Sequence, residues 1–280
     1  MKIDTAISEA SKELKNNNIK SFLLDCEILM SKAINKDREF VLLNLDKEIN
    51  YYEHEYYKEL IKQRSKGKPI AYLVGEKSFW KYIFFINEKI LIPRPETELI
   101  IEQVLKIYKN KSKINFLEIG VGSGCIILSI LKEKKNFIGN GIDLSDECLK
   151  LCNINAEKLG VTNRLKLFKS DVDNFRLGKY DLIISNPPYI KKLDLKYLEK
   201  DVRKFEPRLA LDGGLEGLSE ISKVINQSSE LIKKNGKLIL EIAFDQKKEV
   251  MKLLRNKGFF INKVLKDFAN NDRCVISTKI

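Results

Sequence analysis

The stretch that decides the fold is Phe116-Leu117-Glu118-Ile119-Gly120-Val121-Gly122-Ser123-Gly124-Cys125. Its mostly apolar first half predicts a buried β-strand, and the glycines predict a tight turn that leads into an apolar helix. Glycine lets the backbone approach a ligand closely, and open α/β sheets bind nucleotide-like ligands at the carboxyl ends of their strands. The stretch therefore predicts an α/β domain with a cofactor loop at residues 120–124.

Short apolar runs alternate with helical stretches from residue 112 onward. This alternation predicts a mainly parallel sheet with helices on both faces. The last two runs are separated only by residues 266–272, which cannot hold a crossover helix, so we expect that pair to be antiparallel. The predicted strands are residues 114–119, 137–142, 165–168, 182–185, 237–242, 259–265 and 273–278.

The first part of the chain has a different pattern. Residues 1–75 predict a small helical bundle, because apolar residues recur every three or four positions. The aromatic and β-branched run at residues 79–86, followed by a turn at Asn87-Glu88, predicts a hairpin with Ile90-Leu91-Ile92. We therefore expect a helical domain at residues 1–75, a hairpin linker at residues 76–92 and an α/β domain at residues 93–280.

The composition is that of a soluble globular protein, with 44% hydrophobic and 32% charged residues among 280. No apolar run approaches about 18 residues and no signal sequence opens the chain, so we expect a cytoplasmic protein without membrane contact. The single histidine, His54, argues against a histidine-dependent triad. The five cysteines form no C-x-x-C pair, and we expect no metal site.

The formal net charge of +12 has two explanations. It can attract nucleic acid or an acidic partner. However, the basic residues are mostly lysine, whereas bidentate phosphate recognition favours arginine, and a codon bias would produce the same excess. The charge alone does not separate the two explanations.

Two carboxylates indicate which cofactor the loop binds. A dinucleotide fingerprint needs a glycine where Cys125 stands, so NAD is disfavoured. Asp143 ends the second strand of the domain, where an acid can accept hydrogen bonds from ribose hydroxyls. Glu118 would repel a pyrophosphate but suit a cationic amino-acid group. These features favour S-adenosylmethionine bound by Glu118, Gly120, Val121, Gly122, Ser123, Gly124 and Asp143; the alternative is a glycine-rich turn with a helix-capping acid.

Two further residues follow the third strand. Asp171 could meet the amino group of the adenine, and Val172 could cover its ring. The alternative for Asp171 is a turn or helix cap, which is a common role of aspartate at such a position.

A second motif, Asn186-Pro187-Pro188-Tyr189, follows the strand at residues 182–185 on the same predicted sheet edge. Two prolines fix two φ angles and remove two backbone donors, which leaves a rigid corner lined by acceptors. A planar NH2 group could donate to the Asn186 side-chain oxygen and to the Pro187 carbonyl, with its lone pair directed at a methyl donor.

This corner suits a poor nucleophile such as an amide nitrogen. Acceptors that strengthen as positive charge develops on the nitrogen stabilise the transition state, and no general base is needed for the transfer. Tyr189 would stack on the planar substrate. The alternative is a proline turn with a capping asparagine.

At this point the sequence resembles the release-factor glutamine methyltransferases, the HemK/PrmC family, over nearly its whole length. The tetrapeptide alone is shared with DNA adenine and other amino methyltransferases. Other motifs are more selective: Gly67-Lys68-Pro69-Ile70-Ala71-Tyr72, Gly75 with Phe79, Leu91-Ile92-Pro93-Arg94-Pro95-Glu96-Thr97-Glu98, Asp201-Val202-Arg203, Phe205-Glu206-Pro207, Gly213-Gly214 and Gly217-Leu218.

The resemblance implies a helical substrate-recognition domain, a hairpin linker and a seven-stranded methyltransferase domain. It also implies methyl transfer to the glutamine of the Gly-Gly-Gln loop of peptide chain release factors. By the same resemblance, residues 120–124 and Asp143 would lie at the cofactor and residues 186–189 at the glutamine, with Asn186 also near the cofactor. Some relatives have an aromatic residue where Val172 stands, which puts adenine stacking there in doubt.

Two other functions stay open. A DNA or RNA amino methyltransferase, acting on adenine N6 or guanine N2, would share the tetrapeptide and use the positive charge. However, residues 1–75 show no aromatic and basic platform for bases, so we expect no obligatory nucleic acid. A binding module that keeps the fold without turnover is the third reading, and intact Gly120, Asp143 and Asn186 argue against it.

Overall fold

A computed structural model describes all residues, 1–280. They divide into two compact units, one of residues 1–76 with 199–205 and one of residues 77–198 with 206–280. No helix is long and apolar enough to cross a membrane.

The helices are α1 (Ile3–Asn16), α2 (Phe22–Ala33), α3 (Arg38–Leu43), α4 (Tyr51–Ser65), α5 (Ile70–Val74), α6 (Glu98–Ile107), α7 (Cys125–Glu133), α8 (Asp146–Leu159), α9 (Lys200–Phe205), α10 (Ser219–Leu231) and α11 (Lys247–Asn256). The strands are β1 (Glu76–Phe79), β2 (Tyr82–Phe85), β3 (Asn115–Ile119), β4 (Ile138–Asp143), β5 (Leu165–Lys169), β6 (Tyr180–Ser185), β7 (Ile232–Glu241), β8 (Phe259–Lys266) and β9 (Asp272–Lys279).

The first unit is a helical bundle of α1–α5 joined by α9. Helix α4 begins with a capping box, in which Asn50 and Glu53 each accept a hydrogen bond from the backbone of the other. Buried Arg64 donates to Asp25 at 2.6 Å and to Asp201 at 3.0 Å. This ion-pair network links α4 to α2 and to α9, so the short segment at residues 199–205 belongs to the bundle although its flanking residues belong to the second unit.

The second unit contains a seven-stranded sheet in the order β5-β4-β3-β6-β7-β9-β8. Its strands run parallel except β9, which is antiparallel to both β7 and β8. The predicted Rossmann-like α/β fold, including the antiparallel final pair, is confirmed.

The sheet is buried on both faces. Neighbouring residues of β3 point to opposite sides, so that Phe116 packs in one apolar cluster and Leu117 in the other, and neither is exposed. Such burial on both faces is expected of a parallel sheet covered by helices. It fixes the strands rigidly and therefore fixes the loops at their carboxyl ends.

The hairpin that precedes this sheet has its turn at a different position from the predicted one. The turn lies at Trp80-Lys81 between β1 and β2, and residues 90–92 form no strand. Trp80 adopts a left-handed φ of 56°, which periodicity does not reveal. Two carboxylates hold it there, since the Trp80 backbone N–H donates to Glu98 at 2.7 Å and its indole N–H to Glu133 at 3.0 Å.

Candidate active site

The two sequence motifs meet at one edge of the sheet because β3 and β6 are adjacent. Ile119 lies opposite Ser185 in the parallel pair, so Gly120 adjoins Asn186. On the other side of β3, strand β4 ends at Asp143. The residues at or just beyond the strand ends are therefore, in spatial order, Asp171, Asp143, Gly120, Asn186 and Glu241.

The glycine loop is held by the carboxylate of Asp143. One oxygen accepts from the Gly122 backbone N–H at 3.0 Å and the other from the Ser145 N–H at 2.9 Å. Gly124 is required for packing, because a Cβ there would lie 2.6 Å from Cys152 Sγ. The loop thus has one face against α8 and its other face open.

A cavity of about 500 Å³ lies over this edge of the sheet. Nine of the ten residues predicted to bind the cofactor line it, and Gly124 is the one that does not. Those nine are Glu118, Gly120, Val121, Gly122, Ser123, Asp143, Asp171, Val172 and Asn186.

Glu118 has a structural contact that the sequence did not predict. Its side chain is buried, and Oε2 accepts from the Ile127 backbone N–H in the first turn of α7 at 2.8 Å. Burial raises the pKa of this carboxyl well above its ordinary range. Glu118 therefore fixes the start of α7, and its attraction for a cationic group stays a prediction.

Asp171 and Val172 take the positions expected beyond β5. Asp171 lines the cavity and also accepts from the Asp173 N–H at 3.1 Å, as the cap of the short helix Val172–Asn174. Val172 is nearly buried against the cavity. The capping role of Asp171 is thus present, and its adenine contact stays a prediction.

The Asn186 loop contributes a polar corner to the cavity. Asn186, Pro187 and Pro188 line it. The Asn186 side-chain NH2 donates to the Thr97 hydroxyl at 3.2 Å, and no protein donor bonds to its side-chain oxygen. Tyr189 lies outside the lining, and its hydroxyl donates to Glu241 Oε1 at 3.2 Å. Its predicted stacking on the substrate stays a prediction.

Glu241 ends β7 beside Asn186 and is 2% exposed. Burial raises its pKa from 4.5 to about 7, although Thr97, Arg273 and Tyr189 each act to lower it. Its Oε2 is buried and has no hydrogen-bond partner. Its relevance depends on β7 lying next to β6, and strand order cannot be read from the local sequence, so Glu241 was not among the predicted site residues.

Arg94 lines the cavity and pairs with the buried Glu206, and neither residue was selected from the sequence by itself. They form a close ion pair, and Glu206 also accepts from the Ile92 backbone N–H at 3.3 Å. Arg94 donates in turn to the Ile92 carbonyl at 2.9 Å. Both residues lie in motifs that carried the family resemblance, which was the signal that could have identified them.

The backbone of Tyr189 is clamped by two neighbouring turns. Gln246 donates to the carbonyls of Tyr189 and Gly217 at 3.0 and 2.9 Å. A Cβ at Gly213 would lie 2.8 Å from the Tyr189 Cα. The tetrapeptide is therefore held by contacts with residues far away in the sequence.

Two family models match the chain. The PrmC N-terminal domain matches residues 5–75, and the methyltransferase small domain matches residues 96–217. The two matches coincide with the helical bundle and with the part of the second unit that carries the glycine loop and the tetrapeptide.

Similar proteins are found among curated relatives and solved structures. A release factor glutamine methyltransferase of Leptospira interrogans is 36% identical, with 98% of this chain and 97% of that protein covered. A bifunctional methyltransferase of Rickettsia conorii is 31% identical over 99% of this chain, which spans 58% of that protein. A methyltransferase structure from Pyrococcus furiosus has a TM-score of 0.52 at 18% identity, covering 70% of this chain and 88% of that one; this likeness concerns the fold alone.

Proposed function

The chain belongs to the family of release factor glutamine methyltransferases, and from this premise we propose that it methylates the side-chain amide of the glutamine in the Gly-Gly-Gln motif of peptide chain release factors. The methyl donor is S-adenosylmethionine. The observation that carries the proposal is the position of Asn186, which lines the cavity beside the glycine loop and whose NH2 group is bonded to Thr97, so that its side-chain oxygen is left for a substrate donor.

The cavity fits this cofactor in size and in charge. Pockets of roughly 300–1,000 Å³ hold ligands of this class, and the cavity measures about 500 Å³. More acids than bases line it, in a chain whose net charge is +12. An acidic lining suits a sulfonium and an ammonium group and would repel a pyrophosphate. The ionisable lining residues are the acids Glu118, Asp143, Asp171, Asp212 and Glu220 and the bases Lys89, Arg94 and Lys223.

The tetrapeptide supplies the chemistry of the substrate. When bound, the cofactor supplies an electrophilic methyl group. The Asn186 oxygen and the Pro187 carbonyl would accept the two hydrogens of the glutamine NH2 group, and both bonds strengthen as the nitrogen gains positive charge. The nitrogen becomes acidic once it is methylated, so it can release its proton to water without a protein base.

The partner and its compartment are part of the proposal. We infer that the helical bundle, residues 1–75, recognises the release factor, in accord with its match to the PrmC N-terminal domain. The reaction requires neither a membrane nor nucleic acid, and a release factor substrate implies action in the cytoplasm.

Labelled S-adenosylmethionine tests the proposal directly. Incubation with a bacterial-type release factor should add one methyl group to the Gly-Gly-Gln peptide, as read by mass spectrometry. A release factor whose target glutamine is changed to alanine is the matched control and should stay unlabelled. Label in DNA or RNA but not in protein would establish the nucleic-acid alternative instead.

A further inference from the structure

The amide of Asn186 can face the substrate in two orientations that have the same shape. Rotation by half a turn exchanges its oxygen and its NH2 group. Only the oxygen can accept a hydrogen from a substrate NH2 group. The reaction proposed above therefore requires the protein to select one orientation, and this inference rests on that proposed function.

Thr97 contacts the NH2 end of the Asn186 amide. Its hydroxyl accepts from the Asn186 NH2 group at 3.2 Å, and Thr97 is only 3% exposed. A hydroxyl has a single proton to donate. If Thr97 donated that proton to Asn186, the amide would turn its oxygen away from the cavity, so the proton needs another acceptor.

Glu241 is that acceptor. Its Oε2 is the one buried side-chain carboxylate oxygen in the chain without a partner, and Thr97 acts to lower the pKa of this carboxyl, as a nearby hydrogen-bond donor does. A buried acceptor without a hydrogen bond destabilises the folded state. A hydrogen bond donated to that acceptor removes this free-energy cost. The Thr97 hydroxyl therefore needs a hydrogen-bond acceptor, and the unpaired oxygen of Glu241 needs a donor.

The register of the sheet puts this acid where it is needed. Ser185 lies opposite Leu240, so Glu241 ends its strand beside Asn186. The other oxygen of Glu241 accepts from the Tyr189 hydroxyl at 3.2 Å. One buried carboxylate thus contacts Tyr189 directly and lies beside Asn186, which bonds to Thr97.

We propose that Glu241 and Thr97 are positioning residues: Glu241 accepts a hydrogen bond from the Thr97 hydroxyl, and Thr97 can then only accept from the Asn186 NH2 group, which leaves the Asn186 oxygen for the substrate nitrogen. Neither residue touches the reacting atoms. Their effect is on the orientation of Asn186.

Two substitutions at one position test this relay in the full chain. Thr97→Val keeps the shape and removes the hydroxyl, whereas Thr97→Ser keeps the hydroxyl. With a Gly-Gly-Gln release factor as substrate, we expect Thr97→Val to lower kcat by about 10-fold or more and to leave the KM for S-adenosylmethionine within about twofold. Thr97→Ser should stay within about threefold of the unchanged protein in kcat. Glu241→Gln should resemble Thr97→Val.

A second measurement detects the orientation of the Asn186 amide and does not depend on methyl transfer. The side-chain amide resonances of Asn186 in ¹⁵N-labelled protein should shift in Thr97→Val and in Glu241→Gln, and should change little in Thr97→Ser. Unchanged resonances in Thr97→Val would overturn the relay, whether or not the protein methylates release factors. Equal losses of kcat in Thr97→Val and Thr97→Ser would also overturn it. An unchanged protein that fails to methylate any release factor would instead overturn the proposed function.

Discussion

The two halves of the active site are built in different ways. In the cofactor half, the glycine loop is held by Asp143, which is 21 residues beyond its partner Gly122. In the substrate half, Asn186 bonds to a residue 89 positions earlier, and Arg94 pairs with Glu206, 112 positions later. The cofactor half is therefore largely local in sequence, whereas the substrate half is assembled from several distant segments.

This difference predicts that cofactor binding and turnover depend on separate sets of contacts. Damage to the cofactor half should weaken cofactor binding, because its contacts end in the loop and in Asp143. Damage to the substrate half should lower turnover, because its contacts serve to orient Asn186 and Tyr189. The predictions below test whether the two halves can be damaged independently.

The largest effect is expected for Asn186→Ala. This change removes the side-chain acceptor that strengthens in the transition state, so kcat should fall by roughly 10²-fold or more while cofactor affinity changes by less than about threefold. Turnover assays and calorimetry with S-adenosylmethionine measure the two quantities. Asn153→Ala, an exposed residue of α8, is the control and should change neither; unchanged activity in Asn186→Ala would show that the nitrogen lies elsewhere.

The same difference explains what could be predicted from the sequence. The glycine loop, Asp143 and the tetrapeptide were found because each motif is continuous or lies at the end of an apolar strand. Glu241 was missed because its importance depends on which strand adjoins β6, and strand order is not a local property. Thr97 was noted only within a family motif, since its partner lies far along the chain.

In the hairpin, by contrast, the wrong prediction concerned a local feature, the position of the turn. The aromatic and β-branched run at residues 79–86 indicated β-structure, but it contains the end of β1, the turn and β2 rather than a single strand. The turn was misplaced because Trp80 has no turn propensity, and its left-handed backbone is held by contacts with Glu98 and Glu133. Tertiary contacts here outweigh the local preference that the sequence shows.

Two glycine substitutions compare the halves directly. A Cβ at Gly213 would lie 2.8 Å from the Tyr189 Cα, and a Cβ at Gly141 would lie 2.4 Å from Val121 Cγ1 in the cofactor loop. We expect Gly213→Ala to lower kcat by about 10-fold with little change in cofactor affinity. We expect Gly141→Ala to raise the cofactor KM by a similar factor with a smaller effect on kcat. The same kinetic pattern in both variants would contradict the separation.

Asp143→Asn should have a moderate effect confined to the cofactor half. The amide can accept from one of the two backbone donors, Gly122 and Ser145, but its NH2 group opposes the other. We expect the cofactor KM to rise by roughly 10-fold and kcat at saturating cofactor to stay within about threefold. Fluorescence titration with S-adenosylhomocysteine provides an independent affinity. A large loss of kcat at saturation would mean that Asp143 also orients the substrate half.

The smallest effect concerns stability and its dependence on pH. Burial raises the pKa of Glu241 from 4.5 to about 7, so between these values the folded state holds a proton that the unfolded state releases. The resulting stabilisation is complete below pH 4.5 and is lost as the pH rises through 7. Arg273 and Glu96 also act on this carboxyl, the first lowering its pKa and the second raising it. Glu241→Gln removes the titration, so the free energy of unfolding should fall between pH 5 and pH 8 by up to about 3 kcal/mol more in the unchanged protein than in the variant.

Urea unfolding at the two pH values measures this difference. The single tryptophan, Trp80, lies in the second unit, so its fluorescence reports on the unit that contains Glu241. If Glu241 only stabilised the fold, Glu241→Gln would lose both stability and turnover at pH 8. The positioning role predicts the opposite pairing, in which the variant is at least as stable at pH 8 and yet turns over more slowly, because a neutral amide no longer directs the Thr97 proton. If Glu241→Gln lost both stability and turnover, Glu241 would only stabilise the core of the fold. Asn186 would then be the one residue of the substrate half whose orientation controls the reaction.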